Sequence, residues 1–364
     1  MKWTAIAHPG LEKVVEAELR EFGFTTEMEQ GAVRFTGEPG RVRAVMPLLR
    51  TPDRVLLEIV EARFQNSDGL AALIRAQKWK DLITPEATIE VDVHGQGNGL
   101  RFKDSVEKRV SWAIHEALKG PRIPERYGRP RLTQRISIRA TGDKATVSLD
   151  AGGDLLYRRG WRTDVSKAPI RENIAAALIR LSGWTPDAPL VDPFCGSGTI
   201  PIEAALMAAG RSAFVRTTFA CEEWPIFRGK RIEAQKTKNH AARIFGSDRD
   251  ARVIQAAQAN AARAGVSPRF DTLEITNRSA PAERGFIVTN PPWGHRLNGE
   301  AGGKVIPATD IFIRFGTTVM EQFPDWTVVF LAPELELARR VSPKVRALAT
   351  FPNGGVRVTA WSVG

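Results

Sequence analysis

The sequence predicts an α/β protein whose second half is a doubly wound, mostly parallel sheet and whose first half is α+β. Three observations carry this. From about residue 168 to 364, strand-like and helix-like segments alternate. Residues 1–60 run strand, helix, strand, helix, strand, and residues 68–155 repeat that pattern in kind. A glycine turn, Gly196-Ser197-Gly198, joins a buried apolar run to a helix-like one, as in a strand–helix connection.

The elements follow in order. "WTAIA" reads as a strand. "LEKVVEAELREFG" has Leu11, Val14, Val15, Ala17 and Leu19 at helical spacing and is closed by Gly23. "GAVRFTG" alternates like a strand, "PGRVRAVMPLLR" reads as a helix and "RVLLEIVEARF" as a further strand. Next come the helix "DGLAALIRAQKWKDL", the strand "TIEVDVHG" and the helix "FKDSVEKRVSWAIHEAL", with basic residues on its polar face. After the Pro- and Arg-rich "GPRIPERYGRPRL" stand two alternating strands, "QRISIRATG" and "DKATVSLDAGG". The polar passage "LLYRRGWRTDVSKAPIREN" reads as a linker. In the last part the strands are "PLVDPF", "RIFGSD", "FDTLEI", "GFIVTN", "WTVVFLA", "RALATF" and "VRVTAWSV"; the helices are "TIPIEAALMAA", "DARVIQAAQANAARAG", "DIFIRFGTTVMEQF" and "ELELARRV". Residues 211–242 form an insertion between the first helix and second strand of this part.

Composition narrows the function. A chain of 364 residues implies more than one domain. No apolar run is long enough for a transmembrane helix, and the start lacks the apolar core of a signal peptide. Cys195 and Cys221 are too few for a disulfide framework or a structural zinc site. A cytoplasmic protein without membrane partner or metal is expected. Net charge is +11, and between Arg101 and Arg139 there are 11 Lys/Arg against 4 Asp/Glu. Such clustering suits a polyanion, or else forms a solvated charged face.

The chemistry gathers at strand ends, where ligands bind in such sheets. "VDPFCGSGT" ends a buried strand at Asp192 and opens a helix at Thr199, with glycines that let a ligand approach the backbone. "FGSDRD" ends the next strand in Asp248, suited to two ribose hydroxyls. Either Asp248 or Asp250 can instead cap the next helix, and Asp250 is better placed for it. "RFDTLEITN" puts Glu274 at the end of the third strand, as an adenine partner or a surface glutamate. The fourth strand, Phe286-Ile287-Val288, ends in Asn290-Pro291-Pro292-Trp293. His295, just beyond, is read as near this pocket or as a solvated loop residue.

Taken together, "DPFCGSGT", "GSDRD" and "NPPWG" resemble the amino-group methyltransferases that use S-adenosylmethionine. "HPGLEKVVEAEL", "GAVRF" and "VSLDAGGDLLYRRGWR…APIRENIAAALIRLSGW" resemble the THUMP-domain RNA guanine-N2 methyltransferases. The likeness covers nearly the whole chain. It is greatest to the methyltransferase half of RlmL and its short bacterial relatives, with TrmN and its archaeal counterpart as cousins. The resemblance implies a ferredoxin-like domain over 1–65, a THUMP RNA-binding domain over 66–156, a linker over 157–170 and a Rossmann-like class I methyltransferase domain over 171–364. It implies S-adenosylmethionine held by Ala168, Pro169, Ile170, Arg171, Asp192, Cys195, Gly196, Ser197, Gly198, Thr199, Asp248, Glu274 and Asn290. Relatives usually carry Asp where Glu274 stands, and often Tyr or Phe where Trp293 stands. Asn290, Pro291, Pro292 and Trp293 would form the catalytic pocket; Arg101, Lys103, Lys108, Arg109, Arg126, Arg129 and Arg131 are expected to hold RNA. The product would be N2-methylguanosine in 23S ribosomal RNA, as part of ribosomal RNA processing. The alternatives are a transfer-RNA guanine-N2 enzyme, an adenine-N6 methyltransferase, and a non-catalytic RNA-binding assembly factor.

The motif suits this chemistry. An exocyclic amino group is a poor nucleophile because its lone pair is delocalised into the ring. The Asn290 side-chain oxygen and the Pro291 carbonyl can both accept its hydrogens. Two prolines fix φ and keep the carbonyl aimed. Trp293 offers a flat face for a base that has left its stack. Catalysis is then positioning and electrostatics, with no metal and no catalytic cysteine.

Overall fold

The computed structural model describes residues 1–85, 87–97, 103–118, 133–163, 170–215, 218–228, 239–293 and 306–364, the side chains of 96–97 and 103–105 excepted. Ala168, Pro169, Arg101, Arg126, Arg129, Arg131 and His295 lie outside them, as does the Lys103 side chain.

The first half is built on one seven-stranded sheet. Its elements are β1 (Lys2–Ile6), α1 (Glu12–Glu21), β2 (Thr25–Glu29), β3 (Ala32–Thr36), α2 (Pro39–Val45), β4 (Arg54–Arg63), α3 (Ser67–Arg75), β5 (Ile89–Gly97), α4 (Lys103–Leu118), β6 (Gln134–Gly142) and β7 (Lys144–Asp150). The strand order is β2-β3-β1-β4-β7-β6-β5. β4 pairs antiparallel with β7 from Leu56↔Asp150 to Arg63↔Lys144, so the sheet continues across the boundary expected near residue 65. β5 and β6 are parallel, with α4 as their crossover. β2 was not expected from the sequence. Its "TTEME" is polar, and it is an edge strand held by pairing with β3 alone. The expected helix over "PGRVRAVMPLLR" ends at Val45 and tightens into a 3-10 turn at Met46–Leu48. Pro47 has no N–H to continue an α-helix.

The second half holds α5 (Glu172–Leu181), β8 (Leu190–Asp192), α6 (Thr199–Ala208), β9 (Ile244–Asp248), α7 (Ala251–Ala264), β10 (Arg269–Thr272), β11 (Phe286–Thr289), α8 (Ala308–Gln322), β12 (Thr327–Ala332), α9 (Leu335–Arg339), β13 (Arg346–Asn353) and β14 (Val356–Val363). The order is β10-β9-β8-β11-β12-β14-β13, parallel from β10 to β12, with β14 antiparallel to β12. The chain goes outward from β8 through β9 and β10, then returns to the other side of β8 for β11 and β12. That reversal opens a crevice at the C-terminal ends of β8 and β11, where open α/β sheets bind ligands.

One of the apolar cores spans both halves. Leu11 and Val14 of α1 pack with Ile170, Ile174 and Leu178 of the second half. Buried charge accompanies this contact. Glu203 of α6 is wholly buried and receives Arg159 at 3.1 Å and Arg50 at 3.3 Å. Glu18 of α1, also wholly buried, receives Arg180 of α5 at 3.2 Å, the Thr51 hydroxyl at 2.6 Å and the backbone amides of Arg50 and Thr51. Burial lowers the pKa of the Arg50 guanidinium, against the attraction of Glu203. On the other edge, the His8 ring Nε2 donates to the Pro352 carbonyl of β13 at 2.5 Å. Glu203→Ala leaves Arg50 and Arg159 buried around a cavity without a countercharge. It should cost about 3–5 kcal/mol, read as a lowered urea midpoint. Arg20→Ala, which removes only exposed contacts with Glu16 and Thr26, should barely move it.

Candidate active site

The loop from β8 to α6 is shaped by its glycines. Gly196 and Gly198 have φ of 50° and 86°, the region glycine adopts without cost. A Cβ on Gly198 would meet Ala257 Cβ and the Phe270 ring at 3.0 Å. The loop is pinned from three sides. The Cys195 amide donates to the Ser247 carbonyl at 2.9 Å, the Gly196 amide to Asp248 Oδ2 at 3.1 Å, and Asn260 Nδ2 to the Ser197 carbonyl at 3.1 Å. The N-cap of α6 is Gly198, with no side-chain cap, so amides of its first turn are left for a ligand.

Two carboxylates face this loop from adjacent strands. Asp192 is buried, and burial pushes it up to about 7 despite the hydrogen bonds it accepts from the Thr289 hydroxyl at 2.6 Å and the Phe194 amide at 3.2 Å. Asp248 is half-buried, and burial raises it too, while the Asp250 and Gly196 amides pull it down. The sequence left open which aspartate caps α7. Asp250 does so, accepting from the Arg252 amide at 2.9 Å, and Asp248 stays at the strand end. Ser197 and Ser247 have buried hydroxyls without a hydrogen-bond partner among the described residues. A close-fitting glycine turn, two partly desolvated carboxylates and two unpartnered hydroxyls fit a polar, cationic nucleoside ligand. Cys195 is buried and its thiol pKa is raised by burial, which makes it a poor nucleophile.

Asn290 follows β11 directly and is half-buried, Pro291 is buried, and Trp293 packs between the two cores on either side of the sheet. The Trp293 indole Nε1 donates to Asn290 Oδ1 at 3.2 Å. That bond sets the direction of the amide, and a carbonyl oxygen keeps a second lone pair for another donor. Thr289 therefore links two strand ends, since its hydroxyl holds Asp192 while the next residue begins the motif. Sequence reasoning missed Thr289 and Asn260. A buried polar residue on the alanine-rich α7 was the available signal for Asn260.

The remaining expected residues are spread more widely. β10 ends at Thr272, so Glu274 stands two residues past the strand and is exposed. Ile170 is buried, and its carbonyl accepts from Arg162 at 2.6 Å. The Arg171 guanidinium lies 4.8 Å from the Tyr157 ring centroid. Asn173 donates to Asp53 of the first half at 2.8 Å. Lys108 is exposed on α4, and Arg109 pairs with Asp68 of α3. Among the described residues, no group of three or more His, Cys, Asp or Glu is placed to hold a metal, and no helix is long and apolar enough to cross a membrane.

This arrangement, a glycine turn after the first strand of a doubly wound sheet with acidic and Asn-Pro-Pro-Trp strand ends beside it, defines a methyltransferase domain. The chain belongs to the RMKL-like methyltransferase family, whose methyltransferase-domain model matches residues 159–356; the RlmL ferredoxin-like domain matches residues 2–56. YpsC of Bacillus subtilis (strain 168), named as a candidate RNA methyltransferase, is 33% identical over 309 residues, covering 81% of this chain and 80% of that one. The crystal structure of SMU.472, a methyltransferase complexed with SAH, superposes with a TM-score of 0.80 at 26% identity, covering 99% of this chain and 97% of the other. A structure from Listeria monocytogenes, named as a predicted N6-adenine-specific DNA methylase, superposes with a TM-score of 0.80 at 28% identity, covering 99% and 95%. SAH is what S-adenosylmethionine becomes after giving up its methyl group, and S-adenosylmethionine is the cofactor.

The pH dependence of the unliganded protein follows from Asp192. Its folded pKa of about 7 exceeds the roughly 3.9 of an unfolded aspartate. The folded state thus holds the proton more tightly, and Asp192 makes stability fall as pH rises through this interval. Asp192→Asn keeps an acceptor for Thr289 and removes the ionisation. Thermal melts between pH 5 and pH 8 should show a smaller loss for the variant; parallel curves would remove Asp192 as the cause.

Proposed function

We propose that this chain is an RNA methyltransferase that makes N2-methylguanosine, with 23S ribosomal RNA as its substrate. The observation that carries the chemistry is the Asn290–Trp293 turn at the end of β11, next to Asp192 at the end of β8. Bound S-adenosylmethionine supplies an electrophilic methyl group on a sulfonium. Asp192 faces cationic charge, Asp248 accepts from the ribose hydroxyls, Gly196 to Thr199 line the backbone side, and Ile170 and Arg171 close the linker side. Asn290 Oδ1 and the Pro291 carbonyl accept the two hydrogens of the base amino group, which aims the nitrogen lone pair at the methyl carbon. The methyl group would pass from the sulfonium to the amino nitrogen, whose displaced proton would go to water. Trp293 holds the Asn290 amide through its indole N–H and offers its ring to the base.

Support for RNA comes from the name borne by YpsC at 33% identity and from the RlmL ferredoxin-like match at residues 2–56. The name of the Listeria monocytogenes structure favours a second reading, methylation of adenine N6. The same two acceptors suit either amino group. A transfer RNA is the alternative substrate on the guanine reading. Mass spectrometry of nucleosides from a deletion strain separates these outcomes: N2-methylguanosine should vanish from one position of 23S ribosomal RNA. Loss from transfer RNA, or loss of N6-methyladenine, would replace the reading.

Two variants test the roles. Asn290→Ala should lower kcat by about 100-fold while calorimetry still detects cofactor binding; a fully active variant removes the mechanism. Asp248→Ala should weaken cofactor binding by roughly tenfold or more, and unaltered affinity removes the ribose assignment.

A further inference from the structure

Of the nine tryptophans, Trp112 alone stands in solvent. It is 56% exposed on α4, whereas Trp293 is half-buried and the others are 8% exposed or less. An indole leaves a core of this size only at a cost in apolar surface. The ring is also held in place. The Arg75 guanidinium of α3 lies 5.2 Å from its centroid, and Arg75 is itself fixed by Glu116 at 2.7 Å. The surroundings are charged rather than apolar. Lys108, Arg109 and His115 sit three or four residues from Trp112 on the same helical face. Exposed Lys78 and Lys80 lie at the 3-10 turn Trp79–Asp81, which packs against α4. Asp68 and Glu116 offset Arg109 and Arg75 in part. None of the other exposed large apolar side chains among the described residues belongs to α3, α4 or the turn between them. A protein partner would seek a contiguous apolar patch; a lone indole backed by a guanidinium, with Lys108 one turn before it on the same helix, fits a nucleobase attached to phosphates.

We propose that Trp112, with Arg75 behind it, is a stacking platform for an unpaired nucleotide of the RNA substrate, with Lys108 and Arg109 toward the adjoining phosphates. The proposal rests on the RNA reading above and sharpens it: the front half grips a single-stranded segment rather than reading duplex shape alone. A duplex offers no free base face, so the platform discriminates between the two. No part of the methyl-transfer site is involved.

The test uses the full chain and a short fluorescently labelled RNA, once as a single strand and once annealed into a duplex. By fluorescence anisotropy, Trp112→Ala should bind the single strand about tenfold more weakly and the duplex nearly as well as the wild type. Trp112→Phe should recover most of the loss, since it retains a ring face. The dependence on salt should be unchanged in Trp112→Ala and shallower in Lys108→Ala. Cofactor affinity by calorimetry should be the same in all of them. Equal single-strand binding by wild type and Trp112→Ala overturns the platform and leaves the RNA reading standing. A parallel loss on the duplex also overturns it, as does unchanged RNA binding with loss of self-association in sedimentation, which would assign Trp112 to a protein contact. A wild-type chain that binds neither RNA overturns the RNA reading itself.

Discussion

The cofactor loop and the first half of the chain are tied together at one buried carboxylate. Glu203 lies on α6, one turn after the helix begins at Thr199, and its side chain is wholly buried between Arg50 and Arg159. The start of that helix is the glycine turn of the cofactor loop. One rigid turn of helix thus carries both the cofactor site and the clasp to the first half. Arg159 extends the clasp, donating at 2.5 Å to the carbonyls of Arg50 and Leu156, and Arg50 reaches the Arg211 carbonyl at 2.7 Å beyond the far end of α6. Desolvating three charges gains little net energy compared with apolar packing. The network instead restricts where the halves can sit, because each guanidinium is satisfied only in this arrangement. A substrate gripped on the first half would then meet the transfer site at a set distance.

The same logic reaches the linker-side segment. Ile170 is packed with Leu11 and Val14 of α1, and Asn173 is bonded to Asp53 of the first half. Glu172 is buried beside Arg162 at 3.0 Å, and burial pushes it up to about 7. Residues proposed to cover the cofactor therefore take their positions partly from the half proposed to hold RNA. The two proposed roles would meet in the backbone around residues 170–173, not only in the crevice.

Much of this was legible in the sequence, and the reasons are local. β8, β9, β11 and β12 are apolar runs between turn signals, and α7 has a capping aspartate and a closing Gly265, so period and punctuation sufficed. The strand-end residues were legible because Asp192 follows an apolar run directly, while Asp248 and Asn290 come within a few residues of one. What was not legible depends on partners far away in the chain. β2 is a strand only because β3 pairs with it, since its own polar residues favour no element. α5 was not expected: the linker passage runs through Asn173, over the first two residues of the helix, and Ile174 to Leu181 were given no element. Nothing in the α1 pattern singles out Glu18, and only the fold places Arg180 and Thr51 around it. Glu274 shows the reverse error of scale: the loop residue was assigned to a strand that ends two residues earlier.

The Asn-Pro-Pro-Trp turn shows what a motif leaves out when it is read from sequence alone. From sequence, the tryptophan is interchangeable with any aromatic ring, a flat surface for a base. In the structure its indole N–H occupies one lone pair of Asn290 Oδ1. Phenylalanine has no donor to place there, and the hydroxyl of tyrosine sits at the far end of its ring. The amide of Asn290 can turn about its last bond at little cost, and turning it would present N–H groups instead of oxygen to the incoming amino group. The indole bond opposes that turn before any substrate arrives. The two prolines do the same for the neighbouring carbonyl, through the backbone. Both acceptors of the turn are thus oriented in advance, one by ring closure and one by a hydrogen bond, so the role proposed for this turn draws on position.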